Sequence, residues 1–136
     1  DHGDATRVLE AEMTDVLTRH PSVVLWLNGH THRTEIQAHE GWWEVTCPSL
    51  VDWPQQGRVV ELLRGGGQLR VGCTMVDHEG EAPWSGSIAD PLALAGLSRE
   101  LAANDWQGGR PRHVKHPPAG RSDDRNVVLA LPDPWA

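Results

Sequence analysis

The chain has 136 residues, the length of one domain or a piece of a larger one. Its 12 basic and 19 acidic residues leave a net charge of −7, which argues against a nucleic-acid surface with its basic stripe. No apolar run approaches the roughly 18 residues of a membrane span. Hydrophobic residues at 38% are enough for most of the chain to fold. It starts at Asp1 with neither Met nor a signal-peptide pattern, which suggests a fragment or a processed chain. Cys47 and Cys73 fall in predicted strands and read as buried free thiols.

In chain order, residues 5–19 read as an amphipathic helix. Leu9, Met13, Val16 and Leu17 share one face, while Glu10, Asp15 and Arg19 lie elsewhere. Asp4 or Thr6 is the expected cap, and Pro21 ends the helix by steering His20 out of the α region. The apolar run Val23–Leu27 then reads as a strand buried on both faces, as in a parallel sheet. Asn28-Gly29 tolerates a sharp exit, and His30 and His32 follow at once. Helix, turn and strand make the second half of a βαβ unit.

Beyond the histidines the pattern becomes β-rich. Thr34–His39, Trp42–Cys47, Gly57–Leu63 and Gln68–Val76 are strand-like, with turns at Glu40-Gly41 and Gly65–Gly67. Pro48–Gln56 carries two prolines and reads as an irregular connection. Residues 77–87 read as loop, with Glu79-Gly80-Glu81 solvated. Asp90-Pro91 is an N-cap followed by proline at the first helical position, and it opens a helix over 91–104. Residues 107–126 are Gly-, Pro-, Arg- and Asp-rich loop, and Val127–Leu131 is a last strand stopped by Pro132. There is no internal repeat.

His30 and His32 carry the clearest chemistry. Alternate residues of an extended segment point to one side, and neutral imidazole is the commonest metal ligand. Two such rings bind one metal or one each of two neighbours, although a His-x-His pair also occurs on ordinary surfaces. His20 reads as a capping or surface residue at a helix end. His39, His78, His113 and His116 have no ligand spacing and read as surface histidines. Arg33 is a candidate phosphate contact against a solvated arginine, and Asp52 a candidate acid against a turn residue. Trp42 and Trp43 point to opposite faces of a strand.

The stretch Val24-Leu25-Trp26-Leu27-Asn28-Gly29-His30-Thr31-His32 resembles the last signature of calcineurin-like metallophosphoesterases, Gly-His-x-His at the end of a buried strand. The likeness extends back to Leu17–Pro21 and forward through Trp43–Thr46, Asp52–Gln56 and Arg58–Glu61. It reaches Ser98–Ala102 and Asp124–Val127 more loosely. It implies an α/β/β/α sandwich, with residues 1–78 the C-terminal part of its catalytic domain and 79–136 a loop, helix and C-terminal extension of the same domain. It also implies hydrolysis of phosphate esters at a dinuclear metal centre, where two ions clamp the phosphate and activate a water. His30 and His32 would each hold one ion; Mn, Fe and Zn all suit such N/O ligands.

The family pattern further requires an Asp-x-His, a Gly-Asp with the bridging carboxylate, a Gly-Asn-His and one more histidine. No Asp-x-His or Gly-Asn-His occurs, and Gly3-Asp4 lies too close to His30 to serve. The resemblance therefore implies that these ligands lie in an N-terminal half of the same polypeptide, and that this chain is inactive without it. The rivals are a non-catalytic β-rich binding module with incidental histidines, and a structural metal site, which usually needs four ligands.

Overall fold

The structure, a computed structural model, describes residues 8–81, 83–84, 86–104 and 118–136. In order they form α1 (Glu10–Thr18), β1 (Leu25–Asn28), β2 (Glu35–Ala38), β3 (Trp43–Thr46), β4 (Gly57–Gly65), β5 (Gln68–Val76), α2 (Pro91–Asn104), a 3-10 turn (Ser122–Asp124) and β6 (Val127–Pro132). The class is mixed α/β, and the strands make two three-stranded sheets, β1-β3-β2 and β4-β5-β6.

Turn chemistry explains the antiparallel pairs. Gly66 and Gly67 take φ of 61° and 73°, the left-handed pair that a two-residue hairpin demands. They join β4 to β5 in register from Gly65↔Gln68 to Gly57↔Val76. Glu40-Gly41 closes the β2–β3 hairpin, where His39 N donates to Trp42 O at 3.0 Å. β6 adds to the other edge of β5, from Cys73↔Val127 to Gln68↔Pro132. Pro132 ends this strand on the sheet's border, where a missing N–H costs least.

Period-two alternation sorts the side chains of the first sheet. Leu25, Trp43, Val45 and Ile36 share one face by register. That face packs on Leu69, Val71 and Cys73 of β5 and Leu129 and Leu131 of β6, with Val24 completing the core. The opposite face carries Trp26, Asn28, Glu44 and Gln37. Trp42, 2% exposed, sits beyond them and donates from Nε1 to Thr18 Oγ1 of α1 at 3.1 Å. Trp43, toward the core, donates to Ala130 O.

Several expectations need correction. The first strand is not buried on both faces: β1 is an edge strand among the described residues, and Leu27 is 49% exposed. The helix before it starts at Glu10, where Glu12 Oε2 accepts from Leu9 N at 3.0 Å; the caps expected at Asp4 and Thr6 lie outside the described residues. No α1 residue is fully buried: Met13 and Leu17 of its apolar stripe are half-buried, while Leu9 and Val16 stay exposed. Glu79–Glu81 is not simply solvated: Gly80 is buried and packs against Gly96, the one buried residue of α2.

α2 begins as expected, with Asp90 Oδ1 accepting from Leu92 N at 2.9 Å. Arg99 pairs with Asp77 just past β5. Burial tends to raise the Asp77 carboxyl, but hydrogen bonds from Gln56, Arg99 and the His78 N–H hold it below its ordinary range. Residues 118–126 then fasten the sheets together. Thr34 N donates to Pro118 O at 2.9 Å, and Ile36 N to Asp124 Oδ1 at 3.1 Å. Asp124 is buried, which by itself raises its pKa; bonds from Arg121 and Ile36 N–H groups outweigh this and keep it ionised.

Candidate metal centre

The carboxyl end of β1 positions both sequence-predicted histidines. Cys47 N donates to Asn28 O at 2.7 Å, which holds the end of β1 to the end of β3. Asn28 Nδ2 donates to Glu44 Oε1 at 2.8 Å, and His39 Nε2 donates to Glu44 Oε2 at 3.1 Å. His39 lies flat on Trp42, with centroids 3.8 Å apart and planes 8° off parallel. His39 is thus no plain surface histidine. It is half-buried in a polar cluster that braces the strand just before the histidine turn.

The chain does not continue extended after Asn28. His32 N donates to Gly29 O at 3.2 Å, so residues 29–32 form a turn with His30 and Thr31 at its tip. The same-side argument for an extended pair therefore does not apply, since turn geometry sets where each ring goes. Both histidines are exposed and lie in the loop at the end of the strand, as expected from Asn-Gly. Arg33 follows them, half-buried.

His32 has φ of 56° and Gln55 has φ of 58°; they are the two non-glycine residues in the left-handed region among those described. Each such conformation costs about 1–2 kcal/mol, and strained backbone clusters at functional sites. His32 is itself one partner of a contact with the loop that carries Gln55: its Nδ1 donates to Asp52 Oδ2. The pair is open to solvent, with side chains 46% and 53% exposed. Asp52 also makes the turn expected of it, its carbonyl accepting from Gln55 N at 2.7 Å. Ser49 Oγ accepts from Val51 N and Asp52 N, both at 3.0 Å, and fixes the loop that delivers the carboxylate.

A carboxylate on Nδ1 fixes the ring tautomer and leaves the Nε2 lone pair available, the arrangement that metal-binding histidines use. Sequence reasoning placed Asp52 as a turn or acid residue and missed this pairing, because a separation of 20 residues carries no periodic signal. Among the described residues, no three or more His, Cys, Asp or Glu side chains are grouped to hold a metal ion. The chain thus offers two imidazoles and an orienting carboxylate, short of a full ligand set. His20 stays exposed at the end of α1, its N–H donating to Leu17 O at 3.1 Å. His113 and His116 lie outside the described residues.

Cys47 and Cys73 are free, the first half-buried and the second buried. Burial pushes the Cys47 thiol up; nearby Arg58 opposes this and Cys73 adds to it. A raised thiol is a poor nucleophile and metal ligand. No helix among the described residues is long and apolar enough to cross a membrane. Comparisons with protein-family models, curated proteins and solved structures returned no match.

Proposed function

We propose that this chain is the C-terminal portion of a dinuclear metallophosphoesterase of the α/β/β/α sandwich type, hydrolysing phosphate esters with two divalent ions. His30 and His32 would each hold one ion, and Arg33 would contact the substrate phosphate. The observation that carries the reading is His32: strained at φ of 56° and tethered through Nδ1 to Asp52. An exposed pair of this kind adds little to stability, so its strain is better explained by a ligand on Nε2.

Two features of the fold support the same reading. The β1 backbone alternates, with Val24 O and Asn28 O turned toward β3, so Leu25 and Leu27 turn their N–H and C=O groups outward. No described strand pairs there, and an edge of this kind takes a neighbouring strand. The outer face of the second sheet carries exposed Val59, Leu63 and Val128, a surface suited to a covering layer.

The residues present give each ion one imidazole and no bridging carboxylate, while a two-metal hydrolase holds its ions roughly 3.5–4 Å apart. The 136-residue chain alone is therefore expected not to hydrolyse a nitrophenyl phosphate in Mn²⁺, whereas the same chain joined to an N-terminal half supplying the missing ligands hydrolyses it. A rate assay on both proteins checks this. Robust turnover by the 136-residue chain would refute the ligand count, and none by the joined protein would refute the enzyme. The rival, a β-rich binding module, gives no metal response in either.

A further inference from the structure

β4 forms one border of the second sheet, and no described strand pairs with its far side. It runs nine residues, Gly57–Gly65. The hairpin fixes which of its backbone groups face out. Gly65↔Gln68 closes a two-residue turn and exchanges both hydrogen bonds, so Gly57, Val59, Glu61 and Leu63 also bond inward to β5. Arg58, Val60, Leu62 and Arg64 therefore turn their N–H and C=O groups away from the sheet, and no other described backbone group bonds to them. Other borders are engaged: Ile36 N on β2 donates to Asp124 Oδ1, and Ala130 O on β6 accepts from Trp43 Nε1. A long row of free donors and acceptors is a template for one more strand.

Side chains decide which strand fits. On the outer face Val59, Glu61 and Leu63 alternate, all exposed. Glu61 stands opposite Gly72, which has no side chain, and makes no ion pair among the described residues. In an added antiparallel strand the residue facing Glu61 belongs to a non-hydrogen-bonded pair, where side chains come closest. A basic residue there gains from the opposite charge, and an acidic one is repelled. Two positions to either side the guest meets Val59 and Leu63, which favour apolar residues. A second copy is a poor guest by the same rule. In full antiparallel register β4 would set Glu61 on Glu61 and Arg58 on Arg64. Slid by two residues, it would set Glu61 on Val59 or Leu63 and leave two of its nine residues unpaired.

We propose that the β4 edge is a docking site for an extended segment of a partner protein, bound as an added antiparallel strand, with a basic residue facing Glu61 and apolar residues facing Val59 and Leu63. Main-chain hydrogen bonds supply the affinity and alternate side chains the selectivity. The inference stands apart from the metallophosphoesterase reading, since it uses no residue of the histidine turn. The probe is a fluorophore-labelled peptide of nine residues that alternates valine and threonine around a central lysine. Its anisotropy is titrated with the 136-residue chain. Three further arms repeat the titration: with glutamate in place of the lysine, with the threonine amides N-methylated, and with Glu61→Lys in the chain. The threonines face Arg58, Val60, Leu62 and Arg64, so N-methylation blocks strand pairing and leaves every side chain unchanged.

The lysine peptide should bind at least about fivefold more tightly than the glutamate peptide, as opposite against like charge at one cross-strand position predicts. Glu61→Lys should invert that order, and N-methylation should abolish binding. Equal affinity of the two peptides, or an order that Glu61→Lys leaves unchanged, would overturn the assigned partner. Binding that survives N-methylation would show that no strand is added, and no binding by either peptide at millimolar concentration would remove the site. A chain that sediments as a dimer, and that the lysine peptide splits, would give the edge to a second copy and overturn the proposal as well.

Discussion

Asp52→Asn is expected to weaken Mn²⁺ binding about tenfold to a hundredfold at unchanged thermal stability. The side chain does not reach the ion in this reading; it is a positioning residue that acts through His32. Asn keeps the size and can still accept from Nδ1, but without the charge that makes the opposite nitrogen a stronger ligand. Stability should hold because both side chains of the pair are about half exposed, and exposed ion pairs contribute about 0–1 kcal/mol. His32→Gly sharpens the contrast. It removes the imidazole and also the left-handed strain at φ of 56°, which is worth about 1 kcal/mol or more. One of the two ions should be lost while the melting temperature stays level or rises. His30→Ala should likewise cost one ion, without the relief of strain. Calorimetry with Mn²⁺ and thermal melts on these variants make the measurement. Undiminished metal binding by His32→Gly would remove His32 from the site.

Gly120→Ala should destabilise the fold by about 2–3 kcal/mol. Gly120 has φ of 72°, where a Cβ is strained whatever the space around it. Here there is no space either: an added Cβ would lie 2.7 Å from Thr34 O and 2.8 Å from Thr34 Cγ2. Thr34 cannot give way easily, being 1% exposed and tied through its N–H to Pro118 O. The damage would fall two residues beyond His32, so metal binding should weaken along with stability. Gly65→Ala is the control. It has no heavy atom within 4 Å of the added carbon and no left-handed φ, and should change stability by less than about 0.5 kcal/mol. Urea denaturation of the three proteins compares them, and equal midpoints for Gly120→Ala and the parent would show that this clip is not rigid.

Local chemistry made much of the fold readable. β5 and α2 match their expected bounds, Gln68–Val76 and Pro91–Asn104, because alternation defines the first and Asp90-Pro91 caps the second. The histidines lie where Asn28-Gly29 ends a strand for the same reason: the signal is contained in a few adjacent residues. What the sequence could not reveal depends on distant partners. The edge position of β1 depends on which strands pair with it, and an apolar run reads alike at an edge or a centre. The α1 stripe was legible, yet Leu9 and Val16 stay exposed, since periodicity names a face without naming what covers it. His39 looked like a surface histidine because Glu44 and Trp42 become its neighbours only across a hairpin. Asp52 showed a turn and hid its second role.

The clip at residues 118–126 has a consequence for how the molecule opens. Ile36 N–H reaches an acceptor, Asp124, that is 88 residues away along the chain. The β4–β5 hairpin is joined by Gly66 and Gly67 alone. Its ladder can re-form after any fluctuation without a long search, whereas the clip must close a large loop, and closure entropy grows with loop length. The two regions should therefore not share one opening free energy. The Ile36 amide is expected to exchange with solvent through local release of the clip, well before the amides of Leu69 and Val71, which wait for unfolding of the whole core. The histidine turn sits on the side that loosens first. Native-state hydrogen exchange against rising denaturant would separate the two, and identical protection at Ile36 and Val71 would show a single cooperative unit instead.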